Sequence, residues 1–133
     1  MVSKKKKLPA DLAKFRDTYV NLFGTLPPLP ASRFEFSGEL NPEFLRLSEK
    51  MRAHAFYSDV IDGKTTQLIL FGMLLVEHNP MGAQAHATAA RRLGASWEEL
   101  HKVVELAATT GAFGPANQGG TLLKNLRDKE RED

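Results

Sequence analysis

Four histidines are the side chains best suited to proton transfer in this chain, and one of them, His86, has an unusual setting. His86 lies in the run Gln84–Ala90, which consists mostly of alanine. An imidazole changes protonation state near neutral pH, and small neighbours leave space beside it for a ligand. His86 is therefore the first candidate for a general acid or base. The alternative is a buried histidine bonded to a backbone carbonyl, and the residues alone favour neither.

Several polar residues are candidates for holding the carboxylate or oxyanion of a substrate beside His86. Gln84 lies on the same predicted helix, and Gln67 directly precedes a long apolar stretch. His78 follows that stretch, where its alternative role is to complement the negative end of a helix. Arg52 lies in a third predicted helix, and a place on the surface or at the rim of a pocket fits it equally well.

The segment Gly111–Gly120 contains four glycines and a proline, and we expect a turn or bend at Gly111–Pro115 followed by a last helix. Free backbone N–H groups at a bend that opens a helix can bind a carboxylate or oxyanion. Gly114 and Asn117 are therefore candidate substrate-binding residues. The same glycines can also serve only to turn the chain, and their spacing is not that of a phosphate-binding loop.

Composition and motif spacing exclude several other classes of function. The chain has no cysteine, which removes thiol chemistry, disulfides and thiolate metal sites and fits a cytoplasmic protein. The histidines lack the spacing of a metal motif, so we predict no metal. Lys4–Lys7 more than account for the formal charge of +2, so the basic residues indicate a tail and not a nucleic-acid-binding face. No apolar run is long enough to span a membrane.

The hydrophobic pattern predicts an all-α domain of about six helices with no convincing strand. We expect a disordered basic tail over residues 1–8, the helical domain over 9–126 and a charged tail over 127–133. The prolines of residues 25–32 predict an extended connector. Capping residues predict where other helices begin and end: Asn41, Asp62 and the box Ser96–Glu99 as starts, and Gly94 as the end of the His86 helix.

Three segments resemble the carboxymuconolactone decarboxylase family, the broad group that includes the AhpD-like alkylhydroperoxidases. Lys64–Ile69 resembles the family's K-T-R-E-L-I helix start. His86–Glu99 resembles its H-x-x-x-A-x-x-x-G-x-[ST]-x-E-E block and is the most specific of the three. Gly111–Asn117 resembles its late G-x-P-x-x-N turn, with one residue of slack. The resemblance implies an all-α fold, homotrimers or homohexamers, a pocket lined by the His86 helix, and chemistry on small carboxylated compounds, often in aromatic catabolism.

Three departures from the family pattern narrow this expectation. AhpD-like members carry C-x-x-C shortly before the histidine, whereas Asn79 and Gly82 stand there in this chain, so peroxide or disulfide reduction is excluded. Those members also have a glutamate where this chain has Gln67, so a relay from glutamate to His86 is not available. The run before His86 lacks the arginine typical of lactone decarboxylases, which argues against their dicarboxylated lactone as the substrate.

The favoured hypothesis is a lyase, a decarboxylase that needs no cofactor and acts on a small carboxylated lactone or oxo acid. The substrate itself delocalises the charge left by CO₂, and His86 delivers a proton while Gln67, Gln84 or the Gly111–Asn117 backbone holds the carboxylate or oxyanion. Two alternatives stay open. In one, the same pocket serves hydration, isomerisation or lactone ring opening; in the other, the chain is a non-catalytic oligomer that binds a ligand. Apolar surface in Leu68–Val76 independently predicts a homo-oligomer.

Overall fold

Six helices make up the regular structure of residues 6–133, which are the residues described by this computed structural model. They are, in chain order, α1 (Ala10–Phe23), α2 (Pro28–Leu40), α3 (Pro42–Phe56), α4 (Gly63–Val76), α5 (Pro80–Arg92) and α6 (Trp97–Glu132). The predicted all-α, single-domain fold is therefore confirmed. Residues 1–5 of the predicted basic tail lie outside the described part, whereas Leu8 packs against the core.

Helix starts and stops follow the predicted capping chemistry. The side chains of Asn41 and Asp62 accept hydrogen bonds from backbone N–H groups in the first turns of α3 and α4. Ser96 and Glu99 form the reciprocal capping box at the start of α6. Gly94 has a φ of 95° after the end of α5, a backbone conformation that favours glycine. Helix α5, which carries His86, thus ends just before Gly94, and it begins after Asn79, whose side chain accepts a hydrogen bond from the backbone N–H of Gly82.

Helix α5 lies between two parts of the core and brings His86 to their junction. It packs against α4 on one side and α1 on the other, while α4 also packs against α6. Ala89 belongs to the larger buried cluster, and Ala90 to a smaller one under α6. Because these residues are small, α5 approaches its neighbours closely, and a side chain one turn earlier reaches the interior.

The extended connector predicted over residues 25–32 is wrong for its second half, because α2 already begins at Pro28. Pro27 occupies the N-cap position without a capping hydrogen bond, and Pro28 occupies the first position of the helix. Pro30 also lies in the first turn, where backbone N–H groups have no partner within the helix. Proline therefore loses no hydrogen bond there, and its fixed φ suits a helix start.

The bend predicted at Gly111–Pro115 is also wrong, because α6 runs through it without interruption. Pro115 cannot donate to the carbonyl of Gly111, but Gly111 is exposed, so water can hydrate that carbonyl. Continuing a helix also avoids the cost of nucleating a new one. Beyond this point α6 is almost wholly exposed. No helix in the described residues is both long and apolar enough to cross a membrane.

Candidate functional site

His86 is almost completely buried on α5, with 9% of its surface exposed. Its ring meets two aromatic rings edge-on, with centroid distances of 5.3 Å to Phe23 and 5.7 Å to Phe56. Phe23 ends α1 and Phe56 ends α3, so two helix termini form walls around the imidazole. This packing limits the ring to a narrow range of orientations.

A short hydrogen bond joins His86 to Gln67 of α4. Gln67 is 1% exposed, and its Oε1 lies 2.6 Å from His86 Nδ1. A carbonyl oxygen only accepts, so Nδ1–H donates, and in the neutral ring Nε2 keeps its lone pair. The alternative that the sequence left open was a hydrogen bond from His86 to a backbone carbonyl. Instead the partner is a side-chain amide, which fixes one ring nitrogen and leaves the other available.

His86 is neutral at pH 7. Burial, and then the positive charge of Arg52, together lower the pKa of His86 from 6.5 to about 4. The expectation that this ring changes protonation state near neutral pH is therefore wrong. A neutral imidazole with Nδ1 already committed is a proton acceptor at Nε2.

A cavity of about 140 Å³, here called the His86 cavity, lies beside the imidazole. The ends of α1 and α3, the start of α2 and the first turns of α5 enclose it. Its lining is mostly apolar and consists of Tyr19, Phe23, Pro27, Pro28, Leu29, Pro30, Arg52, Phe56, Met81, Gly82, Ala85 and His86. Proline side chains are rigid, so the proline segment forms a fixed wall opposite α5. The cavity gives a small ligand access to His86.

A buried cluster of polar side chains borders the His86 cavity. Glu49 is fully buried, and its Oε1 accepts a hydrogen bond of 2.6 Å from the Tyr19 hydroxyl. The guanidinium groups of Arg33 and Arg52 flank this carboxylate, at 2.8 Å and 3.6 Å. Burial, and then the hydrogen bond to Glu49, raise the pKa of Tyr19 to about 12. The tyrosine therefore stays neutral and the cluster carries two positive charges against one negative.

The structure brings only two of the six predicted site residues together, namely His86 and Gln67. Gln84 is exposed on α5 and does not line the cavity. His78 is exposed with a φ of 55° and borders a separate depression at the end of α4. Gly114 and Asn117 are exposed within α6, where backbone N–H groups bond within the helix, so the basis for an anion site there is lost.

Arg52, Tyr19 and Glu49 are the site residues that sequence reasoning left open or missed. Arg52 proves to lie at the cavity and not at the surface. A signal for Glu49 was present, because it follows the buried Leu45 by one helical turn and so falls on the apolar face of α3. A carboxylate on such a face with an arginine three residues later indicates a buried ion pair. Nothing in the sequence shows that Tyr19 of α1 completes it.

The fold and the site define an all-α protein with a histidine–glutamine pair beside an apolar cavity. The sequence model of the carboxymuconolactone decarboxylase family matches residues 42–124, which is more than half of the chain, and the chain belongs to that family. Comparisons with curated proteins and with solved structures gave no significant match. The matched region includes His86, Gln67, Arg52 and Glu49, while Tyr19 lies before it.

Proposed function

We propose that this protein is a cofactor-free acid/base enzyme that acts on a small carboxylated lactone or oxo acid, with His86 as the proton-transfer group. The single observation that carries the proposal is the hydrogen bond of 2.6 Å between His86 and Gln67. It leaves Nε2 unprotonated on a ring that also lines a cavity. A fixed base next to space for a ligand is what proton transfer requires.

The neutral state of His86 favours a reaction that begins with proton removal. Nε2 takes a proton from a carbon next to the substrate's carbonyl, and the electron pair of the C–H bond moves into an enolate. The imidazolium then returns the proton to a different carbon of the conjugated system, which shifts a double bond. A positioned base of this kind contributes about 10² to 10⁴ in rate. Isomerisation of this type needs no cofactor, since the substrate delocalises its own charge.

Decarboxylation is the second candidate, and the family match favours it. In that reaction the bond to the carboxylate breaks, CO₂ leaves, and an imidazolium protonates the resulting enolate. With a pKa of about 4, about one ring in a thousand is protonated at pH 7. Decarboxylation therefore needs a bound carboxylate to raise the pKa of His86 first. A purely ligand-binding role uses the same cavity with no proton transfer.

In this proposal Gln67 orients His86 and does not bind the substrate. Its amide oxygen is occupied by Nδ1–H, and hydrogen bonds of this kind set which ring nitrogen stays free. Gln84, His78, Gly114 and Asn117 have no part in the proposed reaction. The proposed site thus consists of His86, held by Gln67, and the walls of its cavity.

The test is turnover of a panel of small carboxylated lactones and unsaturated oxo acids, followed by proton NMR for isomers and by CO₂ release. We expect activity in the natural protein and a loss of at least about 10² in kcat for His86→Asn. His101→Asn is the matched control, because His101 is exposed on α6. Turnover by His86→Asn at the natural rate would contradict the proposal. Binding without turnover for every compound would favour the ligand-binding role.

We also propose that the protein works in the cytoplasm as a homo-oligomer. A groove of about 510 Å³ between α4 and α6, lined by Ile69, Met73, Leu106 and other apolar residues, is open on the surface. The second half of α6 adds the exposed Leu122, Leu123 and Leu126. Apolar surface on this scale supports association between subunits.

Light scattering coupled to size exclusion tests the assembly, and we expect a trimer or hexamer of the 14.8 kDa chain. Leu122→Gln with Leu126→Gln should shift it towards monomer. Val60→Gln is the matched control, because Val60 is 89% exposed and lies between α3 and α4. A stable monomer of the natural chain would contradict this proposal.

A further inference from the structure

Arg52 is the one charged side chain among the described residues that line the His86 cavity. Its guanidinium lies over the Tyr19 ring at 3.6 Å from the ring centre and 5.3 Å from that of Phe56. Only 11% of the side chain is exposed. Stacking fixes the plane of the guanidinium, so its N–H groups keep constant directions.

The hydrogen bonds of Arg52 leave it with spare donors. Nη1 donates to the hydroxyl of Thr18 and Nη2 to that of Tyr57, both at 3.1 Å. A guanidinium has five N–H groups, so three have no hydrogen-bonded acceptor in the part of the chain that the structure describes. Glu49 Oε2 lies 3.6 Å from Nη1, too far for a direct hydrogen bond. Arg52 is therefore held in place but not saturated.

Charge also favours an anion at this point. Arg33 and Arg52 share the single carboxylate of Glu49, and Arg33 is the closer of the two. Arg33 does not line the cavity, whereas Arg52 does. The unbalanced positive charge is thus presented to the cavity, where low solvent exposure strengthens its interaction with an anion.

We infer that Arg52 binds the carboxylate of the substrate and that the His86 cavity accepts a small monocarboxylate, not a dicarboxylate. That this ligand is the substrate rests on the proposed function, whereas the binding of a carboxylate by Arg52 does not. Arginine binds a carboxylate through two parallel N–H···O bonds. A second carboxylate would meet mostly apolar walls with no further arginine or lysine among the described lining residues, and burying an unpaired charge is costly.

The size of the cavity limits the ligand further. A volume of about 140 Å³ compares with the cavity of about 150 Å³ that holds benzene in an engineered lysozyme. The part of the ligand inside the cavity, its carboxylate included, therefore has about six non-hydrogen atoms. With the carboxylate on Arg52, the carbon chain extends among Phe23, Phe56 and His86, where its C–H bonds approach the free ring nitrogen.

Binding is also coupled to the proton affinity of His86. The charge of Arg52 is one of the two causes that lower the pKa of His86. A carboxylate on Arg52 offsets that charge, so the pKa of His86 rises in the complex. By linkage, each pKa unit of that rise makes the carboxylate form of the ligand bind about tenfold more tightly below both pKa values of His86, free and bound, than above them.

Crotonate is a suitable probe, with crotonamide as its uncharged match and fumarate as its dicarboxylate match. Titrations followed by calorimetry and by amide NMR should show crotonate binding at least tenfold more tightly than either. This comparison uses the natural protein and does not depend on any variant folding. Equal binding of crotonate and crotonamide, or no binding of crotonate, would overturn the inference. Equal binding of fumarate would overturn its monocarboxylate part.

Variants then assign the binding to one arginine. Arg52→Gln should weaken crotonate at least tenfold, and Arg52→Lys by an intermediate factor because the paired geometry is lost. Lys50→Gln is the matched control, since Lys50 is a cation on the same helix but is exposed and lies outside the cavity lining; it should change the Kd less than threefold. An unchanged Kd in Arg52→Gln would overturn the assignment. His86→Asn should lose turnover but still bind crotonate, which separates failure of this inference from failure of the proposed chemistry.

Discussion

Replacing Gln67 with glutamate tests the contact on which the site depends. The substitution keeps the shape of the side chain but places a negative charge where Oε1 now lies 2.6 Å from His86 Nδ1. An opposite charge at this distance favours the protonated imidazole. We therefore expect the pKa of His86 to rise.

The size of the rise follows from the geometry. The centres of the two charges would be about 4 Å apart, which gives about 4 kcal/mol at an effective dielectric constant near 20. At 1.36 kcal/mol per unit this is about three pKa units. The pKa of His86 would then move from about 4 to about 7. Burial of the new carboxylate works against the gain, so this figure is an upper bound.

The assay is NMR of the imidazole carbon and nitrogen signals of His86 as a function of pH. Gln84→Glu is the matched control: it lies on the same helix but is exposed, and we expect a change of only about a few tenths of a unit. A rise below about one unit in Gln67→Glu, in a protein that stays folded, would refute the proposed contact between these side chains.

Three further predictions concern stability. The pKa of His86 is about 4 in the folded protein and near 6.5 in the unfolded chain, so the unfolded state binds the proton first as pH falls. The free energy of unfolding should therefore drop between pH 6.5 and 4, by up to about 3 kcal/mol more in the natural protein than in His86→Asn. Denaturant titration at each pH measures this difference. Equal slopes would contradict the buried neutral state. Glu49→Gln should cost about 3 kcal/mol, because it leaves two arginines without their shared carboxylate. Glu43→Gln, which breaks a surface pair with Arg46, should cost much less, because solvent screens that pair. Similar losses in the two variants would argue against the buried cluster. Pro115→Ala restores a donor to the carbonyl of Gly111 and should slow amide exchange over residues 111–120, since an interior proline costs a helix about 3 kcal/mol. Unchanged exchange would show that α6 is not continuous there.

Helix ends were predicted well because their signals are local. The caps at Asn41, Asp62 and Ser96 each depend on a side chain and the backbone N–H group three residues later. The extended connector over residues 25–32 was predicted wrongly because proline is usually a helix breaker, although it is tolerated in the first turn of a helix. The bend at Gly111–Pro115 was predicted wrongly because glycine and proline usually end a helix, whereas here the helical segments on both sides join into one helix. The predicted number of helices agreed only because these two errors offset each other.

The candidate site was predictable only in part, because its residues come from five helices. His86 stood out through its small neighbours, and the family resemblance pointed to the position of Gln67. The burial that lowers the pKa of His86 depends on Phe23 and Phe56, which no spacing connects to it. The role of Arg52 depends likewise on the Tyr19 ring, thirty-odd residues away in the chain. Such contacts follow from packing between helices and not from local pattern.

The central claim is that His86 carries its proton on Nδ1 and presents an unprotonated Nε2 to the cavity. Nitrogen-15 NMR of the imidazole at pH 7 measures this directly, since the two ring nitrogens have distinct shifts in each form. We predict a neutral ring with a protonated Nδ1 and an unprotonated Nε2, whose signal moves when crotonate is added. A charged ring, or a proton on Nε2 with Nδ1 unprotonated, would contradict the account.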